Sequence, residues 1–304
     1  MANKDSFLLP NINDGRVFVS PILGCKGACS YCYLGIHDFD IPRKNEISIE
    51  DVSNFVQSCP DFTFGRNGTI ISVGAWGDIF PRDNEEFTMH SVQMICDLLS
   101  WENPVQIMSK NTLTQELIEK IADSVKYNGQ LLYSTTITTI KEWRRIEPLT
   151  ASPIDRLQTC YDFHGFGIPT NVLLKPFIPQ LTGNEIAAIA DLMIDYSIDY
   201  CTLGVMYWSQ EIAEKVSHNK FLLSKLDVDP VREDNHLDCN GDVLLRASSV
   251  DELLPYLQYL RSRGVSAFLK SSCVSSNVLG QPNASDYFMT QSKYCIHCGN
   301  CCCE

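Results

Sequence analysis

From residue 16 to residue 206 the chain alternates short apolar runs with stretches whose apolar positions recur every three or four residues. The runs predict strands at 16–20, 69–73, 104–108, 130–135, 170–175 and 199–205, and the amphipathic stretches predict helices over 48–58, 85–100, 112–127, 153–164 and 184–196. Helix starts are marked by Ser48 with Asp51 three residues on, by Thr112, by Ser152 before Pro153, and by Thr182 with Glu185 three residues on. Strands and helices alternating at such short intervals are the pattern of parallel βα units. Six units predict an α/β fold, a partial (β/α)6 TIM-like barrel over 1–206 followed by a C-terminal extension over 207–304. Within the extension, 250–263 reads as a further helix and 265–269 as a further strand. The polar stretch 227–242 reads as a lid or insertion.

Composition adds limits. A chain of 304 residues with 44% hydrophobic content has ample material for a core. No apolar run approaches the ~20 residues of a membrane-spanning helix, and the first six residues lack the apolar region of a signal peptide, so the expectation is a cytoplasmic protein with no membrane partner. With 24 basic against 37 acidic residues and a formal net charge of −13, duplex nucleic acid is disfavoured as a partner, although Arg144-Arg145 forms a local basic strip. The fourteen cysteines are dense only over 25–32 and 295–303, which is metal-site clustering of reduced thiols rather than disulfide stapling.

The first cluster is Cys25-Lys26-Gly27-Ala28-Cys29-Ser30-Tyr31-Cys32, placed after the first predicted strand, at the rim where barrel active sites sit. Three thiolates on one loop hold three irons of a cubic cluster and leave a fourth iron open to bind and activate a small molecule. Gly24 and Gly27 give the loop the freedom to wrap such a group. A structural zinc site is the other reading of these cysteines, although zinc sites usually present two separated pairs. On this three-cysteine motif, with aromatic Tyr31 before its third cysteine, the chain resembles the radical SAM family. The resemblance implies a [4Fe–4S] cluster on Cys25, Cys29 and Cys32 whose open iron chelates S-adenosylmethionine (SAM). It further implies reductive SAM cleavage to a 5′-deoxyadenosyl radical that abstracts hydrogen from a substrate, with a reductant such as flavodoxin or ferredoxin.

Within that superfamily the chain is similar to the spore photoproduct lyase group in Gly74-Ala75-Trp76-Gly77-Asp78, Ser109-Lys110, Ser134-Thr135-Thr136, Glu147-Pro148 with Arg156, and Lys175-Pro176-Phe177-Ile178-Pro179. Most of these segments close a predicted strand on the cofactor face. Asp78 and the backbone from Gly74 to Gly77 suit the SAM ammonium, and Lys110 and Ser134 suit its carboxylate. A turn role for Asp78 and a solvated helix start for Lys110 are the competing readings. Glu147 and Arg156 read either as a bracing ion pair or as contacts to SAM or substrate. Lys175 leads a proline-fixed loop under the adenosine, and Tyr33 either covers the cluster, contacts adenine or packs in the core. The cysteine that returns hydrogen in the lyase falls on Ala75, which argues against thymine-dimer repair.

The chain's end carries Cys295, Cys298 and Cys301 in C-x2-C-x2-C spacing, similar to the first part of a ferredoxin run. This predicts a second, auxiliary iron–sulfur cluster with its fourth ligand from Cys302, Cys303, Cys273, His297 or an external group; zinc or a free thiol tail is the alternative. The functional expectation is a radical SAM enzyme acting on a peptide or small metabolite. A nucleotide or nucleic-acid modifier is the second enzyme reading, and a non-catalytic iron–sulfur or zinc protein is the reading from another class.

Overall fold

The computed structural model describes residues 10–13, 15–34, 39–226, 236–237, 243–246 and 250–281. Its strands are β1 (Asn11–Asn13), β2 (Arg16–Val19), β3 (Ile22–Leu23), β4 (Arg43–Lys44), β5 (Ile70–Val73), β6 (Val105–Ser109), β7 (Leu131–Thr136), β8 (Thr170–Phe177) and β9 (Tyr200–Val205), then β10 (Tyr207–Trp208), β11 (His236–Leu237), β12 (Val243–Arg246) and β13 (Ser266–Phe268). Its helices are α1 (Ile49–Gln57), α2 (Glu85–Leu99), α3 (Gln115–Asp123), α4 (Trp143–Ile146), α5 (Pro153–Gly165), α6 (Ile186–Asp195), α7 (Gln210–Ser217), α8 (Lys220–Leu223), α9 (Leu254–Ser262) and α10 (Ser271–Leu279). Among the described residues no helix is long and apolar enough to cross a membrane.

Eight strands form one sheet in the order β1-β2-β5-β6-β7-β8-β9-β13. The edge strand β1 runs antiparallel to β2, and every other neighbour is parallel. This is the partial barrel expected from the six βα units, lengthened by β13, whose Ser266 pairs with Tyr200. The sheet ends at β1 and β13, so the barrel stays open.

Strand alternation divides the wall into two chemistries. Val17, Val19, Ile71, Val73, Val105, Ile107, Val172 and Leu174 join Val52, Ile95, Leu98, Ile118, Leu157, Phe163 and Met193 from the helices in the main core. The opposite face is polar and equally buried at Ser72, Gln106, Ser134, Asn171 and Thr202. There Gln106 Oε1 accepts from Ser72 (3.2 Å) and Arg16 (3.3 Å), while its Nε2 donates to the Ser271 carbonyl (2.9 Å) and to Ser275 (2.6 Å). Helix α10 is thereby pinned to the inner wall.

The Ser48–Asp51 capping box forms, and Ser152 caps α5. Helix α3 begins at Gln115 behind Thr114, so Thr112 is not its cap. Thr182 and Glu185 do not form the expected box either. The Thr182 hydroxyl donates to the Thr138 carbonyl (2.7 Å), and Glu185 accepts from Thr139 (2.9 Å) and the Ile140 N–H (2.6 Å), so both residues bind the loop after β7.

The cysteine loop leaves the sheet between β3 and β4 and is fixed where two glycines meet. Gly24 donates to the Trp76 carbonyl (2.7 Å) and forms a parallel bridge with Gly77. A Cβ on Gly24, at φ +87°, would lie 2.4 Å from the Ile41 carbonyl oxygen, and one on Gly77 would lie 2.6 Å from the Gly24 carbonyl oxygen. The prediction is that Gly24→Ala lowers stability by about 1–3 kcal/mol from backbone strain alone, read as a lower urea midpoint. Gly165→Ala, which meets open space, serves as the control and leaves the midpoint unchanged or raised. Equal midpoints for Gly24→Ala and wild type would contradict this packing.

Candidate functional site

The three cysteines sit where β2 and β5 deliver their C-terminal loops. Gly27 N–H donates to Cys25 Sγ (3.2 Å). A Cβ on Gly27 would stand 3.2 Å from Cys25 Sγ and 3.5 Å from Cys29 Sγ, so both sulfurs border the gap that this glycine keeps open. Cys25 and Cys32 pack against Leu23, Leu34, Phe39 and Trp76. Burial pushes the Cys25 thiol up, and the Asp78 carboxylate adds to the effect. Burial likewise pushes Cys29 up to about 12, with the Lys110 ammonium opposing it. Thiols so placed need a positive partner to ionise, and a bound metal group supplies one. A single tetrahedral zinc would need sulfurs within about 4 Å of one another. Among the described residues no three Cys, His, Asp or Glu side chains are grouped so as to hold a metal ion. Three thiols on one loop, with the Cys25 and Cys29 sulfurs beside Gly27 and Cys32 packed with Cys25 on Leu23 and Trp76, are the donor types of an iron–sulfur group.

Beside the sulfurs lies a buried charged network. Lys110 Nζ is 3.7 Å from Cys29 Sγ, 2.5 Å from the Tyr31 hydroxyl and 3.2 Å from Glu147 Oε1. Tyr31 donates to the same carboxylate oxygen and meets Thr138 at 3.0 Å. The other Glu147 oxygen pairs with Arg156 Nη2 at 2.7 Å, and both side chains are at most 1% exposed. Arg156 also donates to the Thr136 carbonyl (2.7 Å), the Ala151 carbonyl (2.9 Å) and Thr150. Burial alone would raise the Glu147 carboxyl, but Lys110 and Arg156, with hydrogen bonds from Tyr31 and Arg156, hold it down at about 2. Burial opposes charge on Lys110 too, yet Cys29, Glu147 and Tyr31 keep it well above the usual lysine range. Burial and the Glu147 charge push the Tyr31 phenol up.

Asp78 meets Lys110 through backbone. One carboxylate oxygen accepts from the Ser109 hydroxyl (2.6 Å) and Phe80 N–H (3.1 Å), and the other from Lys110 N–H (2.9 Å). Asp78 therefore fixes the turn that aims Lys110. The expected ion pair between Glu147 and Arg156 is present, and Lys110 joins it. The remaining expected residues have separate contacts. Tyr33 donates to the Ala75 carbonyl (2.8 Å) and meets Trp76 edge-on at 5.9 Å. Gly74, at φ +99°, donates to the Val19 carbonyl (3.0 Å). Ser134 accepts from Asn171 (3.2 Å), which accepts from Thr202 (3.1 Å) on the inner wall. The Lys175 stem lies across Gly204, where a Cβ would come within 2.7 Å of it. Cys273 is buried in the core with α10. Cys295, Cys298 and Cys301, with His297, Cys302 and Cys303, lie outside the described residues.

Residues 207–226 contribute contacts that the sequence reading missed. Asn219 caps α8 and donates to Ser30 Oγ (2.7 Å), between Cys29 and Cys32, and to the Arg145 carbonyl (2.7 Å). Ile146, Ile212, Val216 and Leu222 form a second core against which Tyr31, Tyr33 and Trp208 pack. An asparagine before the apolar run Phe221–Leu223 is a legible cap, but its reach to Ser30 is not local information.

No protein-family profile matches the chain, and no curated protein matches its sequence. Its fold is similar to that of a spore photoproduct lyase variant with bound S-adenosylmethionine and dinucleoside spore photoproduct, at TM-score 0.60 and 16% identity over 84% of this chain and 76% of that one. A further spore photoproduct lyase variant matches at TM-score 0.62 and 16% identity, over 86% of this chain and 78% of that one. SuiB of Streptococcus suis bound to S-adenosylmethionine matches at TM-score 0.55 and 12% identity, over 84% of this chain but 50% of SuiB. The lyase and SuiB are both radical SAM enzymes, and this chain shares their fold.

Proposed function

We propose that the chain is a radical SAM enzyme whose Cys25, Cys29 and Cys32 hold a [4Fe–4S] cluster. The observation that carries the reading is the pair of Cys25 and Cys29 sulfurs facing one gap at Gly27, with Lys110 beside Cys29, in a chain of this fold. Held by Cys25, Cys29 and Cys32, such a cluster would supply the electron for reductive cleavage of bound SAM to methionine and a 5′-deoxyadenosyl radical.

The chain's own residues hold and orient. The Gly27 N–H bond favours anionic sulfur on Cys25, and the Lys110 ammonium does so on Cys29. Lys110 is the cation for the SAM carboxylate, aimed by Asp78 through its backbone and by Glu147 through its ammonium. Arg156 keeps Glu147 ionised and fixed from the far side. Gly74, Ser134 and Lys175 offer polar or close-approach positions on the same rim, and Tyr33 fixes the Ala75 carbonyl there. The substrate we favour is a peptide or small metabolite. The −13 charge opposes duplex nucleic acid, and Ala75 offers no hydrogen where the lyase pattern places a cysteine. The similarity to a lyase solved with a dinucleoside photoproduct supports a nucleotide substrate as the second reading. An auxiliary iron–sulfur cluster on Cys295, Cys298 and Cys301 completes the proposal.

Anaerobically reconstituted protein given dithionite and SAM is expected to form 5′-deoxyadenosine and methionine, and Cys29→Ala to abolish both. Full product formation by that variant would refute the assignment. Glu147→Gln leaves Lys110 and Arg156 buried without their anion, which should cost about 3–5 kcal/mol of stability in urea titrations. SAM affinity should fall roughly tenfold as Lys110 loses its tether, the equivalent of about 1.4 kcal/mol. A variant as stable as wild type would remove Glu147 from this role. Protein lacking Cys25, Cys29 and Cys32 should still hold iron and sulfide on its tail. Stoichiometric zinc, or no metal, would refute the auxiliary cluster.

A further inference from the structure

Asp78 and Lys110 follow β5 and β6, at the end of the sheet that carries the cysteine loop, and the segments that precede β5, β6 and β7 lie at the other end. There three aromatic rings meet. Phe64 stands edge-on to Phe62 at 4.8 Å and to Trp101 at 5.7 Å. Phe62 and Trp101 pack against the main core, while Phe64 is 48% exposed. The backbone beneath the rings is fixed by a buried side chain. Asn103 donates to the Thr63 carbonyl (2.8 Å) and the Thr69 carbonyl (2.9 Å) and accepts from Gly65 N–H (3.0 Å). Tyr127 donates to the Glu102 carbonyl (2.8 Å), with Arg66 over its ring at 4.7 Å. An apolar ring held outward by a built network is the kind of surface that marks an interaction site.

The described chain leaves the barrel beside this patch. Helix α10 passes Gly129, where a Cβ would lie 2.6 Å from Val278 Cγ1, and the Gln281 amide then donates to the Asn67 side chain. Asn67 and Phe64 belong to one turn, closed by Gly68 N–H on the Gly65 carbonyl (2.8 Å) and Thr69 N–H on the Thr63 carbonyl (2.8 Å). Residues 282–304 follow and lie outside the described residues. Their sequence carries an apolar run, Tyr287-Phe288-Met289, between polar flanks and ahead of Cys295. Extended backbone from Gln281 to Tyr287 spans at most about 20 Å, and the chain from Asn67 to Phe64 at most about 11 Å, so the run has length to spare.

We propose that Phe62, Phe64 and Trp101 form the docking site for the chain's own segment Tyr287-Phe288-Met289. Ring–ring and sulfur–ring contacts are the chemistry that pairs these two sets of side chains. Attachment at Gln281 makes the contact intramolecular, so a small patch suffices. A second copy is the poorer occupant. A stable dimer buries about 800 Å² on each partner, and this patch is three rings bordered by exposed Asp61, Arg66 and Glu102. Docking anchors the tail at the end of the sheet opposite Cys25, Cys29 and Cys32, six residues before Cys295. The contact does not depend on what the tail's cysteines bind, and it tethers that group to the barrel.

The test is limited chymotrypsin digestion of the full-length protein, with cleavage after Tyr287 and Phe288 followed by mass spectrometry. A docked segment is cut only when it lifts off, so the rate reads the undocked fraction. Wild type is compared with Phe64→Ser and with Ile194→Ser, an equally exposed apolar side chain on α6. The expected result is cleavage at least about tenfold faster in Phe64→Ser, with Ile194→Ser matching wild type. If Phe64→Ser folds poorly, the double variant Tyr287→Ser, Phe288→Ser replaces it and is read by hydrogen exchange of the amides of 62–66, expected faster than in wild type. Equal tail cleavage in wild type and Phe64→Ser, or unchanged exchange in the double variant, overturns the proposal. So does a wild-type dimer that Phe64→Ser dissociates without changing tail cleavage, which would give the patch to a second copy. Iron and zinc analysis of the same samples tests the metal reading of the tail separately.

Discussion

A single buried carboxylate organises the rim of this barrel. Glu147 is 1% exposed and carries two cations, Lys110 on one oxygen and Arg156 on the other, with the Tyr31 hydroxyl beside Lys110. Each partner belongs to a different part of the chain: Lys110 follows β6, Arg156 lies in α5, and Tyr31 sits between the second and third cysteines. Removing a charge from water is costly unless its partners are held in place. Here they are held by backbone, Lys110 through Asp78 and Arg156 through the carbonyls of Thr136 and Ala151. One ionised group thus couples the cysteine loop to three βα units, and the loop's position depends on elements far from it in sequence.

The loop is also constrained at its ends. Gly24 and Gly77 approach too closely for any side chain, which locks the loop's entry to the segment after β5. On the other side Ser30 is held by the Ile146 carbonyl and by Asn219. A short loop with Gly24 at its entry and Gly27 within it gains little rigidity from its own backbone. The surrounding elements supply it, as preorganisation of a site requires.

Much of the sheet was legible because buried parallel strands are written as apolar runs. The six strands expected between residues 16 and 205 all form, with boundaries moved by one or two residues. The Ser48–Asp51 and Ser152 caps were legible for the same local reason. Thr182 and Glu185 match the capping pattern, but the loop after β7 offered partners that the pattern does not contain. Helix α10 was hidden because Ser271-Ser272-Cys273-Val274-Ser275-Ser276 lacks an apolar stripe; Cys273 and Val274 enter the main core, while Ser275 and the Ser271 carbonyl bind Gln106 of the polar wall. At the site, residue types were legible and pairings were not. Asp78 and Lys110 looked like two grips on one ligand, whereas the carboxylate of Asp78 holds the amide of Lys110.

The polar inner wall follows from leaving the barrel open. A closed barrel fills its interior with branched apolar side chains from every strand. Here the sheet ends at β1 and β13, and the interior is furnished by Ser72, Gln106, Ser134, Asn171 and Thr202. Buried polar groups are tolerated only when their hydrogen bonds are made, and two chains of bonds satisfy them. One runs from Arg16 and Ser72 through Gln106 to α10, and the other from Thr202 through Asn171 to Ser134. The first chain joins the wall to α10, through the Gln106 bonds to the Ser271 carbonyl and Ser275. The second lies in β7, β8 and β9, which also carry Lys175 and Gly204. One polar face is thus tied to a helix at Gln106 and knit across three strands at Asn171.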